Sequence, residues 1–136
     1  DMGVESFLIA SALLGILAQR LVRVICKNCK EEAHLDPIYL NEMKQYGFKT
    51  SHAYRGKGCE HCSHTGYRGR VGIYELLVVD DDIRNLILAK SSTHIIRNKG
   101  KENGMKVLRE DGWEKVATGV TTPEEVLRVT LNNNEV

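Results

Sequence analysis

Cys26-Lys27-Asn28-Cys29 and Cys59-Glu60-His61-Cys62 hold all 4 cysteines of this 136-residue chain. Two residues between cysteines let one turn aim both sulfurs at a single point. Two such pairs supply four thiolates, the number and softness that a tetrahedral zinc takes. The spacing predicts one structural zinc bound by Cys26, Cys29, Cys59 and Cys62. Disulfides are the competing reading for four cysteines. No signal peptide is visible, however, and the surrounding composition is that of an ordinary intracellular protein. A redox role suits one Cys-x-x-Cys pair better than two. His61 and His64 flank the second pair and could replace a sulfur, but a full set of thiolates leaves them as bystanders. Four thiolates around zinc carry a net charge of about −2. Lys27, Lys30, Lys57 and Arg68 lie close in sequence and are candidates to offset it.

Outward from the pairs, the pattern mixes strand and helix. Val71-Gly-Ile-Tyr-Glu-Leu-Leu-Val-Val79 is β-branched and almost continuously apolar, as a buried strand of a parallel or mixed sheet would be. Glu75 is unusual there and is expected either to pair with a basic residue or to face outward. Glu5 to Ile25 reads as one long helix, apolar on most faces in its first half. Asp36-Pro37 starts a short helix over Ile38–Gln45 that Gly47 ends. After the strand the chain is expected to be helical to its end. Asp80, Asp81 and Asp82 open one helix, where their charges favour the positive end of the dipole. Ser91 or Ser92 caps the next, with Ile95 and Ile96 inward. A third, Met105 to Ala117, is expected to be interrupted by Gly112 and ended by Gly119. Thr122-Pro123-Glu124-Glu125 starts the last, with Glu125 in the capping-box position. Leu131 to Val136 reads as a frayed end.

A chain of this length can bury a core, and its 42% apolar and 27% charged residues are those of a globular protein. A net charge of +1 gives no global case for nucleic acid or an acidic membrane. The apolar run Phe7–Ala18 has 12 residues, too few to span a bilayer. A buried helix so near the start suggests an excised piece of a longer protein. No Gly-x-x-x-x-Gly-Lys-[Ser/Thr] loop is present, and no nucleophile-base-acid set is legible, so catalytic residues are expected to be none. Gly66-Tyr67-Arg68-Gly69-Arg70 could hold an anion but reads better as a turn into the strand. His34, His52 and His94 are isolated and expected at the surface.

Taken in order, several motifs resemble the C-terminal region of the type II secretion and type IV pilus assembly ATPases. They begin with Leu8-Ile9-Ala10-Ser11-Ala12-Leu13, Ala18-Gln19-Arg20-Leu21-Val22-Arg23 and the first cysteine pair. Gly58-Cys59, Thr65-Gly66-Tyr67-Arg68-Gly69-Arg70 and Ile73-Tyr74-Glu75-Leu76-Leu77 continue the match. Gly104-Met105, Leu108, Asp111-Gly112, Gly119 and Thr121-Thr122-Pro123-Glu124-Glu125-Val126 complete it. Asp1-Met2-Gly3-Val4 also fits.

The resemblance implies an α/β fold in which residues 1–25 are the terminal helix of a RecA-like core. Residues 26–70 would be a zinc-binding insertion, 71–79 a core strand and 80–136 a C-terminal helical subdomain. It implies a parent that is a cytoplasmic homohexamer, peripheral at a bacterial inner membrane and docked on a platform protein there. ATP and magnesium would be bound only by upstream parts of the parent, so the chain alone is expected neither to bind ATP tightly nor to hydrolyse it. Gln19 and Arg20 would lie near the nucleotide-binding core.

The competing class is a free-standing zinc-ribbon-like module for nucleic acid or protein. The 29 residues between the pairs exceed ribbon spacing, and basic and aromatic residues are not interleaved. No nucleic-acid partner is therefore expected. Self-association is expected through the apolar residues Phe7, Leu8, Ile9, Leu13, Leu14, Ile16 and Leu17.

Overall fold

The computed structural model describes residues 5–131. Among them are six α-helices, four strands and one short 3₁₀ turn. The chain divides into two compact units, one from residues 5–18 and 74–107, the other from 19–73 and 108–131. The fraying expected over Leu131–Val136 lies, beyond Leu131, outside the described residues, as does the match at Asp1–Val4.

The first correction falls at the start of the chain. The helix stops early: α1 covers Ser6–Ala12 and a strand, β1, covers Gly15–Ile25. Gly15 disfavours continuation of the helix, and Ile16, Val22, Val24 and Ile25 are β-branched, a composition that suits a pleated surface. An apolar run of this kind fits a buried helix and a strand equally by pattern, and β-branching is what decides. β1 pairs with β4, Tyr67–Val78. Leu14 O accepts from Val79 N at one end, and Gly66 O accepts from Cys26 N at the other. The strand expected at 71–79 therefore begins four residues sooner, at Tyr67, and takes in the Arg68-Gly69-Arg70 stretch.

In the first unit, α1 packs on α3, Asp81–Leu88, whose N-cap Asp80 accepts from Ile83 N at 3.0 Å. The Arg84 guanidinium joins them, donating to Ala10 O at 2.8 Å and Val79 O at 3.3 Å. Glu75 is buried, and Arg97 of α4, Thr93–Glu102, donates to it through both terminal nitrogens. Ser92 caps α4, as expected, but Ile95 is exposed rather than inward. Arg97 and Gly100 take the covered face instead, and a Cβ on Gly100 would lie 2.6 Å from Leu77 Cδ1.

The second unit holds the main core. β2, Lys30–Ala33, pairs antiparallel with β3, Ala53–Gly56, in the register Lys30↔Gly56 to Ala33↔Ala53. Between them α2, Pro37–Gln45, starts on an Asp36 cap that accepts from Ile38 N at 2.9 Å. Leu35, Met43 and Ala53 from this segment join Trp113 and Val116 of α5, Leu108–Ala117, and Val126 of α6, Pro123–Thr130. Full burial of each large side chain contributes roughly 1.5–3 kcal/mol. The residues between the cysteine pairs therefore order themselves against the last two helices. Gly112 does not interrupt α5. It sits against Val126, where a Cβ would come within 2.5 Å of Cγ1, so its missing side chain lets α5 and α6 close together.

Thr122 caps α6 by accepting from Glu125 N at 3.3 Å, but the capping box is not completed. The Glu125 carboxylate, 2% exposed, turns to β1 instead. It accepts from Arg23 N at 2.7 Å, from Arg23 Nη2 at 3.2 Å and from Arg128 at 3.0 and 2.9 Å. Thr121 Oγ1 donates to Arg23 O at 2.6 Å, Tyr67 OH meets Thr122 Oγ1 at 2.7 Å, and Arg23 lies over the Tyr67 ring.

Burial works to raise the Glu125 carboxyl, but the two arginines and the Arg23 amide outweigh it and bring it down to about 2. Its folded value lies below the unfolded one, so its stabilisation is complete above the ordinary glutamate range. That stabilisation should fade as pH falls from about 4.5 towards about 2. Thermal unfolding followed across that window should show the loss. Glu125→Ala should cost about 1–3 kcal/mol at neutral pH and flatten the acid limb. An unchanged acid limb in the variant would assign the loss to other groups.

Candidate metal centre

The four cysteines sit at the ends of regular elements. Cys26 directly follows β1, and Cys29 directly precedes β2. Cys59 and Cys62 bracket the 3₁₀ turn Glu60–Cys62 that leads to β4. Their sulfurs all lie within 4.8 Å of one another. Cys26 and Cys59 Sγ are 3.8 Å apart, Cys59 and Cys62 3.8 Å, and Cys29 and Cys62 3.9 Å. A tetrahedral zinc with bonds of about 2.3 Å holds its sulfurs about 3.8 Å apart. A disulfide would need about 2.05 Å, and all four cysteines are free. The donor set and its spacing fit one tetrahedral metal ion.

Backbone geometry explains how four thiols crowd together. Gly56 and Gly66 touch backbone to backbone: a Cβ on Gly56 would lie 2.0 Å from Gly66 O, and one on Gly66 2.6 Å from Gly56 O. Gly58 and Gly66 also have positive φ, 101° and 83°, a region open to glycine at little cost. Gly66 N donates to Cys62 Sγ at 3.2 Å, Gly58 N to Cys29 Sγ at 3.2 Å, and Cys59 N to Cys62 Sγ at 3.3 Å. The Asn28 amide donates across to Cys59 Sγ at 3.3 Å.

Bonds of this kind favour thiolates. Burial raises Cys62, but the amides of Cys59 and Gly66 outweigh it and bring the thiol down to about 6. Asn28 is the main influence holding Cys59 below its ordinary range. Burial pushes Cys29 up to about 11, against the amide of Gly58.

The charge expected to be offset by lysines and Arg68 is therefore met first by N–H donors. Lys30 lies over the Tyr54 ring, 4.8 Å from its centroid, and Arg68 donates to His61 O at 3.3 Å. His61 and His64 do not belong to the cluster. His61 lines a cavity of about 280 Å³ beside it, with Lys27, Asn28 and Arg68. His34, His52 and His94 are at the surface, as expected. His52 lies 3.4 Å from Tyr54 OH, and His94 lies 3.1 Å from the Asn98 amide. The sequence reading missed Asn28 and the pair Gly56/Gly66. Glycines placed on both sides of the second cysteine pair were the available signal.

A cluster of four cysteine sulfurs beside small sheets, able to hold one metal ion, defines the class of site. Comparison with known proteins then gives the family. The family model described as "Type II/IV secretion system protein" matches residues 1–128, and the chain belongs to that family. It is 48% identical over 133 residues to the type IV pilus assembly ATPase PilB of Thermus thermophilus, covering 96% of this chain and 15% of that protein. It is 47% identical over 130 residues to the type II secretion system protein E of Pseudomonas aeruginosa, covering 96% and 26%. The type II secretion system ATPase E of Vibrio cholerae is 44% identical over 133 residues, covering 96% and 26%. The chain thus spans about a quarter or less of the length of these curated relatives.

Gly56→Ala should break the close backbone approach beside the cysteines, because its nearest neighbour is a carbonyl rather than a movable side chain. Lower metal uptake is expected, with a loss of about 1–3 kcal/mol in thermal stability. A variant with normal uptake and melting would show that the two backbones can part without harm.

Proposed function

We propose that this chain is the C-terminal zinc-binding and helical region of a hexameric ATPase that powers type II secretion or type IV pilus assembly. Its own role is structural and subunit-coupling, and it is not catalytic in isolation. The observation that carries this reading is the set of four sulfurs at tetrahedral spacing in a chain of that family. In this reading Cys26, Cys29, Cys59 and Cys62 bind one zinc. The ion closes the ends of β1, β2 and β4 around a single point.

Residues 1–25 and 71–79 belong to the end of a RecA-like core, 26–70 form the insertion and 80–136 the helical subdomain. ATP and magnesium are handled by the rest of the parent, which works in the cytoplasm against a platform protein of the inner membrane. No described helix is long and apolar enough to cross a membrane, which agrees with a peripheral placement. The names of the relatives support the parent's activity.

The expected self-association is carried less by a long helix than by apolar side chains on α1, β1, β4 and the link between α1 and β1. Phe7, Leu8, Leu14, Ile16, Leu17, Tyr74, Leu76 and Val78 are all exposed, Leu14 by 84%. A surface of this kind is covered in a working assembly.

Metal analysis of chain purified without chelator should find about one zinc per chain. Cys62→Ser should lose it and speed amide exchange at residues 26–30 and 57–66. The core of α2, α5 and α6 should keep its protection, because its apolar contacts do not include the cysteines. A disulfide between any two of the four, or full retention of zinc by the variant, would refute the site. In light scattering the chain should associate, and Leu14→Lys with Leu76→Lys should make it monomeric. A clean monomer of the unmodified chain at high concentration would remove the association.

A further inference from the structure

We propose that Asn28 is a positioning residue of the metal centre, and that its side-chain amide sets how tightly the ion is held. The inference rests on the zinc reading above. The hydrogen-bond donors to the four sulfurs are unevenly spread. Cys62 Sγ receives two backbone N–H groups, from Cys59 and Gly66, and Cys29 Sγ receives one, from Gly58. Cys59 Sγ receives the Asn28 side chain and the Cys62 backbone N–H, and Cys26 Sγ receives no N–H donor among the described residues. The edge of the cluster between Cys26 and Cys59, 3.8 Å long, thus has one side-chain donor among the described residues, and Asn28 supplies it.

Asn28 differs from the other donors in kind. The others are backbone amides that the turns supply whatever side chains they carry. The Asn28 amide belongs to the first cysteine pair yet reaches a sulfur of the second, 31 positions away in the chain. It forms only when both pairs are assembled, so it latches one pair to the other. A thiolate can only accept, which fixes the amide with its nitrogen towards the sulfur. Hydrogen bonds to ligating atoms orient them and tune the metal, and their removal typically lowers metal affinity about 10–100-fold.

The test compares the whole chain with Asn28→Ala, Asn28→Asp and Asn28→Gln. Zinc affinity is read by competition with a chromophoric chelator. The cobalt(II)-loaded forms are read by their sulfur-to-metal charge-transfer band. Asn28→Ala should weaken zinc about 10–100-fold and move the band to lower energy, because an unbonded thiolate gives up charge more easily. Asn28→Asp keeps the shape but offers an acceptor, and it should be at least as weak. Asn28→Gln, which restores an amide donor, should recover part of both properties.

Trp113 emission reports whether the distant core is intact in each variant. Should Asn28→Ala unfold, the Asp and Gln variants decide. Asp and Gln variants that match each other and the unmodified chain in affinity and spectrum would overturn the inference while leaving the zinc reading in place. Failure of the unmodified chain to take up zinc or cobalt would overturn both.

Discussion

Four sulfurs brought to one point are the constraint on which the strand ends of the second unit depend. Cys26 follows β1, Cys29 precedes β2, and Cys59 and Cys62 sit on the 3₁₀ turn that leads to β4, so their meeting draws the ends of these strands together. Such crowding leaves little room for side chains. That is why Gly56 and Gly66 meet backbone to backbone, and why Gly58 and Gly66 adopt left-handed conformations. A site of this type has no counterpart in the unfolded chain, so an ion bound there would also contribute folding energy. The closure does not act alone: Leu35, Met43 and Ala53, all between the two pairs, are held by α5 and α6.

A second tie works by charge and hydrogen bonding. Glu125 could have closed its own helix end but reaches the Arg23 amide and two guanidiniums. The buried carboxylate is tolerated because Arg23 and Arg128 are both in place, the condition under which a buried charge is stable. Tyr67 and Thr122 continue the contact to β4. One helix start is thereby joined to two strands that are far apart in sequence.

Much of this was legible in the sequence, for reasons tied to particular residues. The cysteine spacing, the caps at Asp36, Asp80, Ser92 and Thr122, and proline at the first position of α2 and α6 are local signals, and local geometry obeyed them. The failures share a cause. Residues 15–25 were read by apolar pattern, which does not separate a buried helix from a strand. Gly112 was read as a breaker because its partner Val126 is invisible from its neighbours in sequence. Glu125 was read into a box because Arg23 lies 102 positions away. Asn28 escaped notice for the same reason, since its target belongs to the other pair.

Trp113, the only tryptophan, is fully buried in the second unit, 5.9 Å from the Tyr39 ring, and its indole nitrogen has no hydrogen-bond partner among the described residues. An indole in so apolar a setting fluoresces at the blue end of its range and shifts to the red when water arrives. The protein therefore carries a built-in optical label for one of its two units, and the other is silent at the same wavelength. Melting of the α2, α5 and α6 core can be watched by light alone, without interference from the unit containing α1, α3 and α4.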